Sequence, residues 1–248
     1  MDRLLELTYR AEQSHFWFRG FRQYMQPALA RAVAGVAQPK ILDCGCGTGS
    51  NLAMLAPFGS AMGFDLTRIG TEFAKAHGHR VAQASIAQIP FRSASFDLVT
   101  SFDVFQVLPD DVEPAAVKEM SRVLKPGGRM LLHVAALDIL HGAHSVLSEE
   151  HRRYTPSRLR GLVESAGFVV ERLTFDHMTL LPFMLPVRIW HRLTASGGVV
   201  PAGESEIEVP MAPVNALFTA LVSLEATALR AFDMPIGCSL MCLARKPS

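Results

Sequence analysis

Apolar and polar positions change their period in a regular order along the chain. Residues 2–34 place apolar side chains at helical intervals, with an aromatic knot at His15-Phe16-Trp17-Phe18 followed by Arg19 and Arg22, and this spacing predicts an amphipathic helix. Short apolar runs then alternate with helical stretches. The pattern predicts a strand at 41–44, a helix near 51–57, a strand at 60–65, a helix at 67–77 and a strand at 80–83, followed by a strand at 96–102 and a helix at 114–123. Leu124-Lys125-Pro126-Gly127-Gly128 reads as a helix stop and turn, and Arg129–Ala135 as the fifth strand. Thr155 before Pro156 opens a helix that Gly167 stops, and Phe168–Phe175 is the sixth strand. Alternation of this kind is the signature of an α/β fold.

After Met178 the pattern shifts. Met178–Pro186 is apolar and broken by prolines, Gly197-Gly198 marks a turn, and 202–210 is an acidic linker. Val214, Leu217, Phe218, Leu221, Leu224, Ala228 and Phe232 then recur at helical spacing, and Cys238–Arg245 returns to a strand pattern.

Composition narrows the partners. The chain has 248 residues, 49% hydrophobic, with formal net charge +1 and a mean hydropathy of +0.21. A near-neutral chain lacks the basic footprint that nucleic acid requires, and the high apolar fraction predicts surface that is covered or sticky. Cys44, Cys46, Cys238 and Cys242 form neither a disulfide framework nor a Cys-x-x-Cys metal pair. The first residues lack the apolar run of a secretory signal, and no stretch reaches the roughly 18 apolar residues of a membrane span. Both predict a cytoplasmic protein.

The chemistry centres on Ile41-Leu42-Asp43-Cys44-Gly45-Cys46-Gly47-Thr48-Gly49-Ser50. A strand that ends in alternate glycines and leads into a helix brings backbone N–H groups and a helix N-terminus beside a ligand. The Gly-x-Gly-x-Gly spacing, with Asp43 two residues ahead, argues against the Gly-x-Gly-x-x-Gly of NAD enzymes. Asp65 closes the next apolar run about 20 residues on, where an open α/β sheet presents a carboxylate to ribose hydroxyls.

Asp43–Gly49, Asp65 and Leu124–Gly128, in this order and spacing, resemble the class I S-adenosylmethionine-dependent methyltransferases of the bacterial small-molecule type. The resemblance covers roughly residues 35–175 and implies a Rossmann-like, seven-stranded, mostly parallel sheet with helices on both faces, whose last strand pairs with the sixth. An N-terminal helical lid (1–34), a core (35–177 and 235–248) and a helical insertion before the last strand (178–234) follow from it. The implied cofactor is S-adenosylmethionine, leaving S-adenosylhomocysteine. Asp43, Gly45, Cys46, Gly47, Asp65 and Leu66 would surround it, Ser85 and Ile86 would hold the adenine, and Ser101, Phe102 and Asp103, at the carboxyl end of the fourth strand, would lie near the methionine part. Ser85 stands where relatives commonly have Asp. Trp17 is expected to cover the sulfonium and Arg19 or Arg22 to meet the methionyl carboxylate.

A general base is needed only if the acceptor gives up a proton. The resemblance nominates His151 and Tyr154, with His144 and His141 in the same loop; His133 reads as a satisfied core or crevice-edge residue. Relatives often carry Glu-His where this chain has Gln106-Val107, so a catalytic histidine is excluded there. With only Asn51 and Asn215 as asparagines, the oxygen cluster of a magnesium-dependent enzyme is not expected. The function expected is methyl transfer to an apolar or amphiphilic small molecule, through O, N or C, as in quinone, lipid or secondary metabolism. The alternative is a non-catalytic cofactor-binding partner that docks through its apolar insertion; aminopropyl transfer is disfavoured because Glu204–Glu208 reads as linker. The insertion itself is expected to be a substrate cap, a homodimer interface or a peripheral membrane contact.

Overall fold

The computed structural model describes residues 2–141, 149–194 and 209–248, without the side chains of 2–7 and 191–194. Seven strands form one sheet: β1 (Lys40–Cys44), β2 (Ser60–Asp65), β3 (Val81–Gln83), β4 (Phe96–Phe102), β5 (Leu124–Ala135), β6 (Val169–Asp176) and β7 (Ser239–Arg245). Their spatial order is β3-β2-β1-β4-β5-β7-β6. Strand β7 runs antiparallel to both neighbours, and the other pairings are parallel. Residues 41–44 of β1, all but one residue of β4 and six of seven in β7 are buried, as strands covered on both faces must be.

Eight helices are described: α1 (Asp2–Ser14), α2 (Phe16–Ala32), α3 (Ser50–Leu55), α4 (Arg68–Ala76), α5 (Val112–Val123), α6 (Pro156–Ser165), α7 (Leu181–Thr194) and α8 (Ala212–Ala228). The N-terminal segment is therefore two helices where periodicity predicts one. His15 is extended (φ −67°, ψ 136°) and its Nδ1 accepts the Trp17 N–H at 3.1 Å, restarting the helix. Burial pushes the His15 imidazole down to about 4, which keeps it neutral and able to accept. Strand β5 starts at Leu124, earlier than the proline and glycines predict. Its pairing with β4 jumps from Phe96↔Leu124 to Leu98↔Arg129, so an irregularity absorbs the Lys-Pro-Gly-Gly stretch.

The order of strands reverses between β1 and β4, so a crevice opens beyond their carboxyl ends. The register sets Asp43 beside Thr100 and Phe102 beside His133. Segments far apart in sequence meet around this end of the sheet. Asn215 of α8 accepts from Phe16 N–H at 2.8 Å and donates to the Ser14 carbonyl at 3.0 Å, locking the α1–α2 junction. Phe218 packs on Phe16 and Phe183. Buried Glu225 accepts from the Met178 and Thr179 N–H groups and the Thr179 hydroxyl, fastening the start of the insertion.

The α2–α8 crossing depends on Gly20, where an added Cβ would lie 2.9 Å from Val222 Cβ. Gly20→Leu should cost about 1–3 kcal/mol by overpacking, read as a lower urea midpoint. Gly161→Ala, in α6 where an added Cβ meets nothing within 4 Å, should gain up to about 1 kcal/mol of helix propensity. Equal midpoints for the two variants would rule out a close crossing.

Candidate active site

The loop after β1 turns on its own backbone. The Gly45 and Cys46 N–H groups both donate to the Phe64 carbonyl, at 2.9 and 3.0 Å, tying the loop to the end of β2. Gly45 has φ +82°, and a Cβ there would lie 2.4 Å from Val104 Cγ2, so no side chain fits between this loop and the segment after β4. Gly47 has φ +48°, and a Cβ there would meet nothing within 4 Å, so the loop faces open space at its centre.

Two carboxylates frame this loop differently. Asp43 is completely buried; Oδ1 accepts the Thr100 hydroxyl at 2.7 Å, and Oδ2 has no hydrogen-bond partner. Burial first, and then the negative charge of Asp65, push the Asp43 carboxyl up to about 7. Asp65 is half-buried; Oδ2 accepts the Gly47 N–H at 2.9 Å, while Oδ1 accepts from the Thr67 N–H at 2.8 Å and hydroxyl at 2.7 Å. It clamps the loop to the start of α4 and keeps lone pairs for a further donor.

The other cofactor candidates are spread around this frame. Ile86 is buried and Ser85 half-buried in the turn after β3, where the Ser85 hydroxyl oxygen accepts the Ala87 N–H at 3.2 Å. A cavity of about 620 Å³ lined by Ser85, Gln88, Ile89 and Arg122 among others opens at this turn. Leu66 is 69% exposed. Cys46 is buried, close enough to Gly63 that a Cβ there would be 2.7 Å from its own, and the buried Ser101 hydroxyl donates to the Cys44 carbonyl at 2.9 Å. Cys46 and Ser101 thus hold the loop in shape through packing and strand-to-strand bonding.

The lid residues have partners within the chain. Glu12 of α1, which sequence reasoning missed, accepts the Thr48 hydroxyl at 2.8 Å, and burial raises its carboxyl above the usual range. Arg22 donates to the Glu12 backbone carbonyl at 2.5 Å, so this expected carboxylate binder also pins α1 to α2. The Trp17 ring stacks on His177, centroids 3.9 Å apart and planes 6° from parallel, so one of its faces is taken by protein.

Tyr154, expected as a catalytic candidate, is wholly buried, and its hydroxyl bonds the Glu113 carboxylate and the Phe105 carbonyl, so its hydrogen bonds are made within the protein. Burial and Glu113 together raise its pKa above the ordinary tyrosine range. The His151 side chain is exposed, and its N–H donates to the Gln106 carbonyl at 2.8 Å. His144 lies outside the described residues.

Sequence reasoning placed Asp103 near the cofactor and His133 at the core or crevice edge, but missed the polar line that joins them. His133 lies between two carboxylates, Nδ1 3.0 Å from Asp103 Oδ1 and Nε2 3.2 Å from Asp176 Oδ2, and His177 Nδ1 is 2.7 Å from Asp176 Oδ1. Burial lowers the His133 pKa, but the two carboxylates outweigh it and hold the imidazole up to about 10. A lone histidine inside the apolar run of β5 was the one available signal.

Comparison with known proteins agrees with this frame. The family described as methyltransferase domain matches residues 42–132. A malonyl-[acyl-carrier protein] O-methyltransferase of Herminiimonas arsenicoxydans is 30% identical over 193 residues, covering 72% of this chain and 73% of that one. The chain belongs to the class I S-adenosylmethionine-dependent methyltransferases. A relative in Mycolicibacterium smegmatis, named for S-adenosylmethionine-dependent methyl transfer, is 30% identical over 64% of this chain and 62% of its own length. A Haloferax volcanii methyltransferase, in complex with the Trm112 methyltransferase activator, shares the fold with a TM-score of 0.62 at 19% identity, covering 97% of this chain and 94% of that one.

The residues present suit the methyltransferase cofactor. The unpaired, buried Oδ2 of Asp43 is a waiting acceptor for a ligand donor, and the open space at Gly47 leaves room for the ligand to approach the backbone.

Two predictions follow from these environments. In the ligand-free methyltransferase, burial holds the Asp43 carboxyl up at about 7, above the roughly 3.9 of an aspartate in the unfolded chain, so the folded state binds the extra proton and this group's contribution to stability falls as pH rises between the two values. Asp43→Asn should flatten that slope in thermal melts, and should also remove a rise in S-adenosylhomocysteine affinity through about pH 7 that calorimetry detects in the parent chain. Tyr154→Phe, which leaves Glu113 short of a buried donor, should cost about 1–3 kcal/mol of stability with cofactor affinity unchanged; a large drop in affinity instead would return Tyr154 to the site.

Proposed function

We propose that this methyltransferase acts on an apolar or amphiphilic small molecule by metal-independent in-line displacement, with residues 1–34 as a lid and 178–234 as a cap over the acceptor. One observation carries the reading. Beyond the end of β5, buried Leu140, Leu181 and Cys238 form an apolar cluster joined by Trp17, Leu137 and Met184, which packs α2, the loop after β5 and the 178–234 segment together. An acceptor held beside this cluster would be shielded from water, which favours an apolar one.

Bound S-adenosylmethionine supplies an electrophilic methyl group whose leaving group already bears positive charge. The chain's part is placement. Asp43 would hold the ligand's ammonium through its unpaired oxygen, and Asp65 would accept from ribose hydroxyls while keeping its bond to Gly47 N–H. The Glu12–Thr48 hydrogen bond and the packing of α2 hold the lid against the loop, excluding water and fixing the line of approach. With charge already on the leaving group, no Lewis acid is needed. Described helices include none long and apolar enough to cross a membrane.

A second reading rests on exposed apolar side chains: Leu217, Leu224 and Phe232, at 57%, 68% and 72% exposure, in and just after α8. They would suit a second copy of the chain, a membrane surface or a protein docked on a non-catalytic cofactor binder.

Calorimetry with S-adenosylhomocysteine, together with transfer of tritiated methyl groups to organic-extractable acceptors in the presence of EDTA, tests the primary reading. Binding plus EDTA-resistant transfer is expected. Binding without transfer to any acceptor, with a stable complex in pulldown, would favour the docking reading, and absence of binding would end both.

A further inference from the structure

The line of side chains behind the crevice is unusual in being both buried and charged. Asp103 follows β4 directly, and Val104 beside it presses on Gly45, so Asp103 stands next to the cofactor loop. It adopts φ +56°, a left-handed conformation uncommon outside glycine, fixed by its N–H donating to the His133 carbonyl at 2.9 Å. Its side chain is 47% exposed. Oδ1 accepts from His133 Nδ1 at 3.0 Å and from Gln106 Nε2 at 3.4 Å, and Oδ2 takes no hydrogen bond from the described residues. One oxygen is anchored and the other is open.

Behind Asp103 the chain continues inward. His133 is wholly buried and joins Asp176, which is 1% exposed and joins His177. His177 Nε2 lies 3.3 Å from the Trp17 carbonyl, and α2 closes the assembly with Phe21 edge-on to His133 and Tyr24 edge-on to His177. Met241 of β7 and Phe102 of β4 flank His133 across the sheet. Of the ionisable groups in this line, Asp103 and Asp176 bond His133 directly, the His177 ring lies 6.5 Å from it, Tyr24 of α2 faces His177, and Cys238 neighbours Asp176.

Resting on the reading of this crevice as a methyl-transfer site, we propose that Asp103 is the catalytic group that takes the acceptor's proton, positioned by His133 and Asp176, and that the acceptor is an acidic hydroxyl such as a phenol or enol. A carboxylate is a weak base, which matches an acidic hydroxyl better than an aliphatic alcohol. The acceptor's O–H bond breaks with its proton going to Asp103 Oδ2; the oxygen's electron pair forms the O–CH₃ bond as the C–S pair returns to sulfur. Asp103 then gives the proton to water. His133, as a cation between two carboxylates, keeps Asp103 oriented and leaves the cluster with one net negative charge, which the incoming proton neutralises. His133 is a positioning residue here. Asp176, in turn, holds His133.

The three donors of His133, Asp176 and His177 lie within 4.8 Å of one another, a spacing that a metal ion would also accept; a metal there would displace the shared protons and break the line. Metal content therefore enters the test. Purified wild type and Asp103→Asn are compared by S-adenosylhomocysteine calorimetry, by transfer of tritiated methyl to naphthol, a long-chain alcohol, a long-chain carboxylic acid and a dimethylalkylamine, and by ¹⁵N NMR of the His133 ring. Methylation of naphthol is expected, with Asp103→Asn lowering kcat by about 100-fold or more at similar cofactor affinity. The variant's rate should climb about tenfold per pH unit as hydroxide replaces the lost base, where the parent is flat. His133→Gln should lower kcat with little change in KM.

Independently of any acceptor, NMR should find both His133 nitrogens protonated at about pH 8 in wild type, given a pKa held up to about 10, and a lower midpoint in Asp103→Asn. A neutral ring in the parent, stoichiometric bound metal, transfer confined to the carboxylic acid or tertiary amine, or an Asp103→Asn enzyme of unchanged rate overturns the proposal. Loss of S-adenosylhomocysteine binding in the parent would instead overturn the methyl-transfer reading, and the NMR result would still report on the buried line.

Discussion

A carboxylate buried without a full set of partners is the constraint around which the chain is arranged. Asp43 lies one residue before the end of β1, at the point where the strand order reverses, and Thr100 from β4 satisfies only one of its oxygens. Leaving a polar atom unpaired inside a protein is costly, and the sheet tolerates it because the remaining acceptor faces a ligand's need. The glycine loop, the close seat of Val104 on Gly45 and the Asp65 clamp on Gly47 N–H all keep the backbone near that oxygen.

The N-terminal helices α1 and α2 pack with α8 as one unit although about 200 residues separate them in the sequence. Asn215 fills the hydrogen bonds left open where α1 breaks into α2, and Val222 needs a glycine opposite it. Anything that shifts α8 is therefore transmitted to α2, and from α2 to Trp17 and to Glu12 over the loop.

Polar groups buried near the crevice divide into two kinds. The Tyr154–Glu113 and Glu225–Thr179 bonds are closed within the protein and serve to hold segments together. The line from Asp103 to His177 is closed at its inner end by α2 and open at Asp103 Oδ2. In a region of low dielectric, groups of alternating charge support one another strongly, which explains how His133 remains cationic while completely buried.

Local chemistry alone decided the α/β alternation and the glycine loop with Asp43 and Asp65, because period-two runs, turn residues and motif spacing are written within a few tens of residues; the pairing of the last strand with the sixth was legible only through the family resemblance. The break at His15, the early start of β5, the burial of Tyr154 against Glu113, and the reach of Glu12 to Thr48 were decided only by the tertiary structure. So was the union of Asp103, His133 and Asp176. The Tyr154–Glu113, Glu12–Thr48, Asp103–His133 and His133–Asp176 contacts join residues from 30 to 43 positions apart along the chain, and no local pattern records which distant side chain will meet a buried charge once the sheet has brought them side by side.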